Sequence, residues 1–425
     1  MEIYVTKKGD TVYSVAAEYG VSPERLAFDN DVAAPARLPV GMPLAVVIPL
    51  VTHTVREGET LYGIAREYGV SVETLWRNNI YLRGGDSIRE GEVIYIETER
   101  APLGSFFTGG YVYPNVNKAL LSATLPFSLS ATPFTYGFTR GGELVPLEDD
   151  AIIALCEKYS AAAVMHLSTL DESGNFSVES ASALLGDEPA QRRLINAAAE
   201  NIAAKGYRAL DIDFEFLGSA LAAPYAGFVS LCRDTLSPLG IPVITALAPK
   251  TSDTQPGALY EGHDYALLGE AADALLLMTY EWGYTYGPPM AVSPITPVSR
   301  VVDYALTRIP AKKLLLGISN YGYDFTLPYI QGVSKAESLS VRAAFALASE
   351  TGAEIMYDPV SMAPYFEYSS YGAEHRVWFE DVRSISARLR LMAEKGLFGA
   401  LWWNFDRANN QNLAAINDLI LPRRA

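Results

Sequence analysis

The sequence predicts an α/β chain in which a large (β/α)8 barrel follows two small βααβ modules. Three observations predict this: an internal duplication in the first hundred residues, apolar β-rich runs that then alternate with helical patterns, and three acidic residues in register on one of those runs. Eight strands alternating with helices over about 320 residues are typical of a closed parallel barrel. A doubly wound open sheet is the alternative fold.

The duplication pairs Tyr4–Ser22 with His53–Ser71, and the match continues from Asn30 to Asn79. In each copy a Gly-Asp-Thr or Gly-Glu-Thr turn supplies a threonine that caps the next helix, and a later glycine suits the end of that helix. A serine then starts a second helix, and an apolar run closes the copy as a strand. We therefore expect modules over residues 1–49 and 50–98.

This repeat resembles LysM domains, small βααβ modules that bind N-acetylglucosamine polymers, over residues 2–48 and 51–97. The resemblance implies sugar contacts in the loop after the first strand and in the loop before the last strand of each copy. The residues implied are Gly9, Asp10, Thr11 and Asn30 (loop 30–33) in the first copy, and Gly58, Glu59, Thr60 and Asn79 (loop 79–82) in the second. Taken one at a time, the glycines are also explained as turn formers and the threonines as helix caps.

The large domain is expected over residues 103–425, with a small inserted α+β subdomain at about 327–378 that does not fit one βα unit. The predicted barrel strands are Gly110–Tyr113, Thr135–Phe138, Ala163–Leu167, Ala209–Phe216, Val243–Ala248, Ala274–Tyr280, Leu314–Ser319 and Gly399–Asn404.

The fourth predicted strand carries the acidic residues. Side chains alternate between the faces of a strand, so Asp211, Asp213 and Glu215 share one face, while Leu210, Ile212, Phe214 and Phe216 share the other. Crowded, partly buried carboxylates cost stability, so we expect them to serve chemistry. An exposed edge strand with an acidic face is the alternative.

Other strand ends add aromatic and polar groups. Because catalytic groups of barrels lie at the C-terminal strand ends, these residues are expected at one mouth with Glu215. Aromatic rings and carboxylates together are typical of a carbohydrate cleft. The segments concerned are Gly110–Tyr113, Met278–Trp282, Asn320–Asp324 and Leu401–Asp406.

The segment Asp211-Ile-Asp213-Phe-Glu215 resembles the Asp-x-Asp-x-Glu motif of glycoside hydrolase family 18, a family of TIM barrels. Met278-Thr-Tyr280 and Trp403 support the resemblance. The span from about 103 to 425 is similar to the bacterial spore-cortex and cell-wall branch of that family, the SleL/YaaH-like N-acetylglucosaminidases. Glu281 stands where many chitinases of the family carry aspartate.

The resemblance implies a retaining, substrate-assisted reaction, which departs from the two-carboxylate scheme. Glu215 would protonate the glycosidic oxygen while the sugar's acetamide attacks the anomeric carbon. Asp213 would orient the acetamide and share a proton with Asp211, and Tyr280 would bind the acetamide oxygen. The further substrate-binding residues implied are Trp403, Met278, Glu281, Asn320, Tyr323 and Tyr111.

The composition argues against several classes of binding partner and cofactor. A net charge of −16 argues against nucleic acid and against an anionic membrane surface. Four scattered histidines lack zinc spacing, and we expect neither metal nor cofactor. The residues after Met1 lack the apolar run of a secretion signal, so we expect none in this sequence. No apolar segment is long enough for us to expect insertion into a membrane.

We therefore expect a hydrolase of N-acetylglucosamine polymers in peptidoglycan, located at the spore cortex, spore coat or cell wall. Three alternatives remain open at this stage: a chitinase or chitooligosaccharide hydrolase, a magnesium site formed by the three acids, and a non-catalytic glycan-binding spore-coat protein. The sequence leaves open the exact polymer, a requirement for muramic δ-lactam, exo or endo action, and the oligomeric state.

Overall fold

A computed structural model describes residues 1–34, 37–171 and 174–422. Residues 35–36 of the first predicted module and residues 423–425 of the predicted barrel domain lie outside the described residues. Within the described ranges, no helix combines the length and apolar character needed to cross a bilayer.

Each N-terminal module is a two-stranded antiparallel sheet with two helices between its strands. The predicted caps are confirmed: the Thr11 side chain accepts from the Ser14 amide and the Thr60 side chain from the Gly63 amide. Gly20 and Gly69 end the first helices in the left-handed region, where a side chain would be strained. The elements are Glu2–Val5, Val12–Tyr19, Pro23–Asp29 and Pro43–Val46, then Pro49–Thr54, Leu61–Tyr68, Val72–Asn78 and Val93–Thr98.

The rest of the chain forms the predicted (β/α)8 barrel. Its eight strands are all parallel to their neighbours, and the eighth pairs with the first, so the sheet closes. In order they are Gly104–Val112, Ser130–Pro133, Ala162–Ser168, Ala209–Asp213, Val243–Leu247, Ala274–Leu277, Leu314–Ser319 and Gly399–Trp403.

Helices surround the barrel, and a final short strand, Ile420–Pro422, runs beside the first barrel strand. The helices are Lys118–Thr124, Asp150–Lys158, Val178–Leu185, Glu188–Lys205, Ala222–Leu236, Ala258–Glu261, Tyr265–Ala271, Ile295–Leu306, Val382–Glu394 and Asn410–Leu419. Between the seventh strand and Val382–Glu394, an insertion forms a five-stranded antiparallel sheet and a helix. These are Tyr321–Leu327, Glu337–Ser340, Val341–Thr351, Met356–Asp358, Ala363–Ser370 and Ala373–Trp378.

The first module shares its hydrophobic core with the insertion. Val15 and Leu26 of the module belong to one buried cluster with Val341, Phe345 and Phe379 of the insertion and its flank. Since burial of apolar surface is the main favourable term in folding, the module and the insertion stabilise each other.

The second module packs on the barrel and on the first module. Its Arg77 donates to the Ile420 carbonyl, and Tyr159 of the barrel donates to the Gly84 carbonyl. From the first module, the Arg25 guanidinium lies over the Tyr81 ring, 4.4 Å from its centroid. The three units therefore meet through polar and aromatic contacts as well as through a shared core.

Several predicted boundaries were wrong. The first barrel strand begins at Gly104 rather than Gly110, and the sixth ends at Leu277 rather than Tyr280. The second barrel strand is Ser130–Pro133, while Gly137–Phe138 belongs to a small hairpin with Leu144–Val145. The fourth strand ends at Asp213, because the chain turns at Phe216, which has a φ of 58°. The insertion's sheet begins earlier than predicted, with the strand Tyr321–Leu327.

Candidate active site

A cavity of about 910 Å³ opens at the C-terminal ends of the barrel strands. Its size and its mixed aromatic and polar walls suit a small part of a polymer chain. The lining residues are Tyr111, Tyr113, Phe134, Phe176, Asp213, Glu215, Pro249, Thr251, Ser252, Thr254, Gln255, Pro256, Leu259, Tyr260, Met278, Tyr280, Glu281, Trp282, Pro297, Arg300, Val301 and Trp403.

The fourth strand delivers Asp211 and Asp213 as its alternation predicts, and Glu215 follows two residues after the strand ends. Leu210, Ile212 and Phe214 pack into the layer between the barrel and its helices, while Ala209 belongs to the cluster inside the barrel. Asp211 is buried beneath the cavity, whereas Asp213 and Glu215 are partly exposed on its wall. Phe216, expected on the apolar face, is instead 54% exposed because it lies past the turn that ends the strand.

The segment that carries Glu215 is held from behind by a buried histidine. The His263 ring accepts from the Ala248 amide at 2.7 Å and donates to the Phe214 carbonyl at 2.9 Å. Burial lowers the pKa of His263 to about 4, so the ring is neutral near pH 7. It therefore fixes the backbone between Asp213 and Glu215 without adding a charge to the site.

Burial sets the protonation of the acids. It raises the pKa of Asp211 to about 6, against the opposing effect of a hydrogen bond from Tyr111. Burial also raises the pKa of Asp213 well above its usual value, and the charges of Glu215 and Asp211 raise it further. The pKa of Glu215 is raised by burial as well, which favours a carboxylic acid able to give up a proton near neutral pH.

Tyr111 lines the cavity and contacts the deepest of the acids, Asp211. Its hydroxyl donates to Asp211 Oδ2 at 2.7 Å, and both side chains are buried. Burial raises the pKa of Tyr111 well above its usual value, and the Asp211 carboxylate adds to this effect. Tyr111 therefore lines the cavity as expected and, in addition, supports the deepest acid.

Tyr280, Met278 and Trp403 complete the wall around the acids. Tyr280 comes against the seventh strand at Gly317, where a Cβ would lie only 2.8 Å from the tyrosine ring. The Trp403 ring packs at 5.3 Å from Tyr111 and 4.9 Å from Phe134, measured between centroids. The Phe134 ring packs edge-on and the Tyr111 ring at a tilt, so other aromatic groups hold Trp403 in place on the cavity wall.

Glu281 reaches the cavity wall, but two other predicted substrate-binding residues do not. Tyr323 donates its hydroxyl to Glu281, as does Tyr321, so it holds the carboxylate from behind. Asn320 is 1% exposed and donates to the Asn404 carbonyl at 2.9 Å. Neither Asn320 nor Tyr323 is among the lining residues, so the structure corrects both from sugar contact to a supporting position.

In the modules, Asn30 and Asn79 are fully buried. Each amide bonds to the closing strand of its own module, Asn30 to both backbone groups of Ala45 and Asn79 to both of Tyr95. In place of the glycan contact expected of them, they tie helix to strand.

The first loops of the modules remain at the surface. Gly9 and Gly58 are exposed with φ of 95° and 80°, as tight turns require. Asp10 accepts from the Tyr4 hydroxyl and Glu59 from the His53 ring, so each acid also shapes its own loop. Thr11 and Thr60 cap helices.

Sequence reasoning missed several cavity residues, among them Phe134, Phe176, Tyr260 and Arg300. Phe134 follows the second barrel strand, so correct placement of that strand would have found it. Arg300 lies on the helix Ile295–Leu306, and no strand-end signal points to it. Among the residues that the structure describes, no group of three or more His, Cys, Asp or Glu side chains is arranged to hold a metal ion.

A parallel barrel whose mouth joins clustered carboxylates to aromatic walls defines the class of glycoside hydrolases. Glycosyl hydrolases family 18 matches residues 170–408, and the LysM domain matches residues 4–47 and 53–97. The chain is 38% identical over 426 residues to a cortical fragment-lytic enzyme of Bacillus subtilis, with 98% of each chain covered. It is 34% identical to the protein of that description from Bacillus anthracis, covering 97% of this chain and 96% of the relative.

Among solved structures, the spore cortex-lytic enzyme SleL of Bacillus megaterium matches with a TM-score of 0.83 at 31% identity. The match covers 100% of this chain and 99% of that one. The chain therefore belongs to glycosyl hydrolases family 18 and is a glycosidase with two LysM domains.

Proposed function

We propose that this glycosidase cleaves β-1,4 linkages at N-acetylglucosamine in the peptidoglycan of the spore cortex, by a retaining, substrate-assisted mechanism. The observation that carries the proposal is the stack of acids at the barrel mouth, with Asp211 buried and Asp213 and Glu215 on the cavity wall. The cortex-lytic relatives, which match along nearly the whole chain, support cortex as the polymer and the spore as the location.

In the proposed first step, Glu215 gives its proton to the glycosidic oxygen as the bond to the anomeric carbon breaks. The acetamide oxygen of the same sugar attacks that carbon and forms an oxazolinium. Asp211 and Asp213 share one proton, so the pair carries one negative charge. Asp213 accepts a hydrogen bond from the acetamide N–H and stabilises the positive charge that develops there. Tyr280 donates a hydrogen bond to the acetamide oxygen, and Trp403 packs against the sugar ring.

In the second step, the Glu215 carboxylate takes a proton from water, and the oxygen of that water attacks the anomeric carbon. The acetamide leaves, the configuration is retained and Glu215 is again protonated. The raised pKa of Glu215 suits both steps, because the group must be an acid first and a base afterwards.

The test compares wild type with Glu215→Gln on purified cortex fragments and on chitin oligomers, with the products identified by mass spectrometry. We expect new N-acetylglucosamine reducing ends from cortex fragments, a loss of at least about 100-fold in kcat for Glu215→Gln, and largely intact glycan binding. Glu350→Gln, an exposed acid on the insertion helix, is the matched control. Undiminished turnover by Glu215→Gln would refute the assignment.

A second arm tests the participation of the substrate. Oligomers whose sugars lack the N-acetyl group should not be cut, because they carry no acetamide to attack the anomeric carbon. Equal rates on acetylated and deacetylated oligomers would contradict the mechanism while leaving the glycosidase assignment in place.

A further inference from the structure

His166 is a buried ring beside the acids that the proposed mechanism does not use. It lies on the third barrel strand, where its Cα pairs in register with that of Asp211 on the fourth strand. Its Nε2 atom is 3.9 Å from Asp211 Oδ2 and 3.7 Å from Asp213 Oδ2. The side chain is fully buried.

Three polar atoms of this cluster have no hydrogen-bond partner among the described residues: His166 Nε2, Asp211 Oδ1 and Asp213 Oδ1. Buried polar groups in folded proteins are nearly always paired, and an exception usually has a functional reason. The carboxylate atoms nearest to Nε2 are the Oδ2 atoms of the two aspartates, and both lie at slightly more than hydrogen-bond distance. A small rotation of Asp213, whose side chain is 13% exposed at the cavity, would close the gap.

The contact of the other ring nitrogen, Nδ1, determines which nitrogen of the neutral His166 ring carries the proton. Its Nδ1 atom is 2.6 Å from Thr135 Oγ1, and the same hydroxyl also lies 2.9 Å from the Tyr136 carbonyl, which can only accept. When the hydroxyl donates to Nδ1, the neutral ring must carry its proton on Nε2, facing the carboxylates. Burial lowers the pKa of His166 to about 3, so the ring is neutral at working pH. The rings of Tyr111 and Phe134 pack against it at centroid distances of 5.4 and 4.9 Å and fix its plane.

We propose that His166 is a positioning residue of the acidic pair: its Nε2–H donates to whichever of Asp211 and Asp213 carries the negative charge, and so directs the shared proton to the other. The titratable groups that face the ring are Asp211, Asp213 and Tyr111, while Glu215 and Tyr280 act on Asp213 from the cavity side. The inference rests on the proposed function, because it assigns a role within that reaction.

Two substitutions separate the two nitrogens of the ring. His166→Gln places an amide near the position of Nε2 and keeps a donor toward the acids, whereas His166→Asn places its amide near Nδ1 and removes that donor. We expect His166→Asn to lower kcat by about 10- to 100-fold at nearly unchanged KM, as for a lost hydrogen bond to a charged group. The acid limb of its pH profile should rise by about one unit, because the charged pair loses a donor. His166→Gln should restore the limb and most of kcat.

His375→Asn is the control, because His375 also pairs with an aspartate, Asp324 at 3.0 Å, but lies in the insertion outside the cavity. Equal loss in His166→Asn and His166→Gln with an unmoved acid limb would overturn the proposal, as would no loss in either. Should His166→Asn fail to fold, Thr135→Val takes its place, since it removes the hydroxyl that fixes the tautomer.

Long-range 1H–15N NMR of the full chain labelled with 15N-histidine gives a readout that needs no activity. We expect His166, assigned by its absence in His166→Gln, to show a proton on Nε2 and no titration between about pH 5 and 8. A proton on Nδ1, or protonation in that range, would overturn the inference even in an active enzyme. Failure of the proposed function would instead show as wild-type protein that does not cut cortex fragments, whatever the tautomer.

Discussion

Removal of one hydroxyl, in Tyr111→Phe, tests how the protein sets the charge of its acidic pair. The hydroxyl donates to Asp211 Oδ2 at 2.7 Å, and Oδ1 of the same carboxylate has no partner among the described residues. The substitution keeps the ring, and with it the packing against Trp403. It therefore removes the hydrogen bond of a buried carboxylate with little change in shape.

The size and sign of the effect follow from that bond. A hydrogen bond to a charged group contributes about 1.5 to 3 kcal/mol, and one pKa unit corresponds to about 1.4 kcal/mol, so the pKa of Asp211 should move by about 1 to 2 units. The bond favours the charged carboxylate, so its loss raises a pKa that already lies at about 6. In Tyr111→Phe the pair then binds its second proton at higher pH and loses the negative charge that the proposed reaction needs.

The assay is the pH profile of kcat/KM on a soluble N-acetylglucosamine oligomer. We expect the acid limb to move up by about 1 to 2 pH units, with a loss of about 5- to 50-fold near pH 6 that shrinks to about twofold or less above about pH 8. Tyr113→Phe is the matched control, because its hydroxyl lies on the same cavity and makes no hydrogen bond with a described residue. An acid limb that stays in place in Tyr111→Phe would refute the reasoning, even if the overall rate fell.

Two further predictions concern the cavity rim and the shared core. Arg300 lines the cavity, is exposed and pairs with no described residue. Arg300→Gln should lower kcat/KM on cortex fragments, because their stem peptides carry carboxylates that the guanidinium would attract. Neutral chitin oligomers should be cut as before. Arg390→Gln, also exposed and unpaired within the described ranges, is its control, and equal losses on both substrates would contradict the idea. Phe345→Ala should cost about 3 to 5 kcal/mol and lower the Tm of the whole chain in a single calorimetric transition, whereas the exposed Tyr371→Ala should not; a separate transition for the first module would count against the shared core.

A buried barrel strand could be predicted from the sequence when it forms an apolar run, and it was missed when its residues are small and polar. Leu314–Ser319 is fully buried on both faces and was predicted at its observed bounds. Ser130–Pro133 is buried just as completely, but it consists of small and polar residues followed by a turn, so no periodic signal marks it. The neighbouring run Thr135–Phe138 is richer in β-branched and aromatic residues, so the sequence predicts the strand there.

The acids could be predicted because alternation on a strand is a local property, whereas their supporting residues depend on contacts distant in sequence. Asp211 and Asp213 share the inner face by the period of two. By contrast, Tyr111 meets Asp211 from 100 residues away, and Tyr323 meets Glu281 from another strand end. Sequence spacing alone does not distinguish a residue that lines the cavity from a residue that supports a lining residue from behind.

The same distinction applies to the LysM domains, where contacts between units occupy part of the expected glycan surface. In the first module the Asp31 carboxylate accepts from Arg342 of the insertion and from the Asn410 amide of the barrel. In the second, Tyr81 lies under Arg25 of the first module. Both residues belong to the loops 30–33 and 79–82.

Within the part of the chain that the structure describes, the first loops of the modules make no hydrogen bond or ion pair with another unit. Beside them, at matching positions of the duplication, Tyr13 and Tyr62 are 56% and 71% exposed, and exposed aromatic faces are suited to stacking on sugar rings. We therefore expect glycan contact of the modules at Gly9–Tyr13 and Gly58–Tyr62. Their other loops complete the fold that carries the active site, because they are committed to the barrel, the insertion and each other.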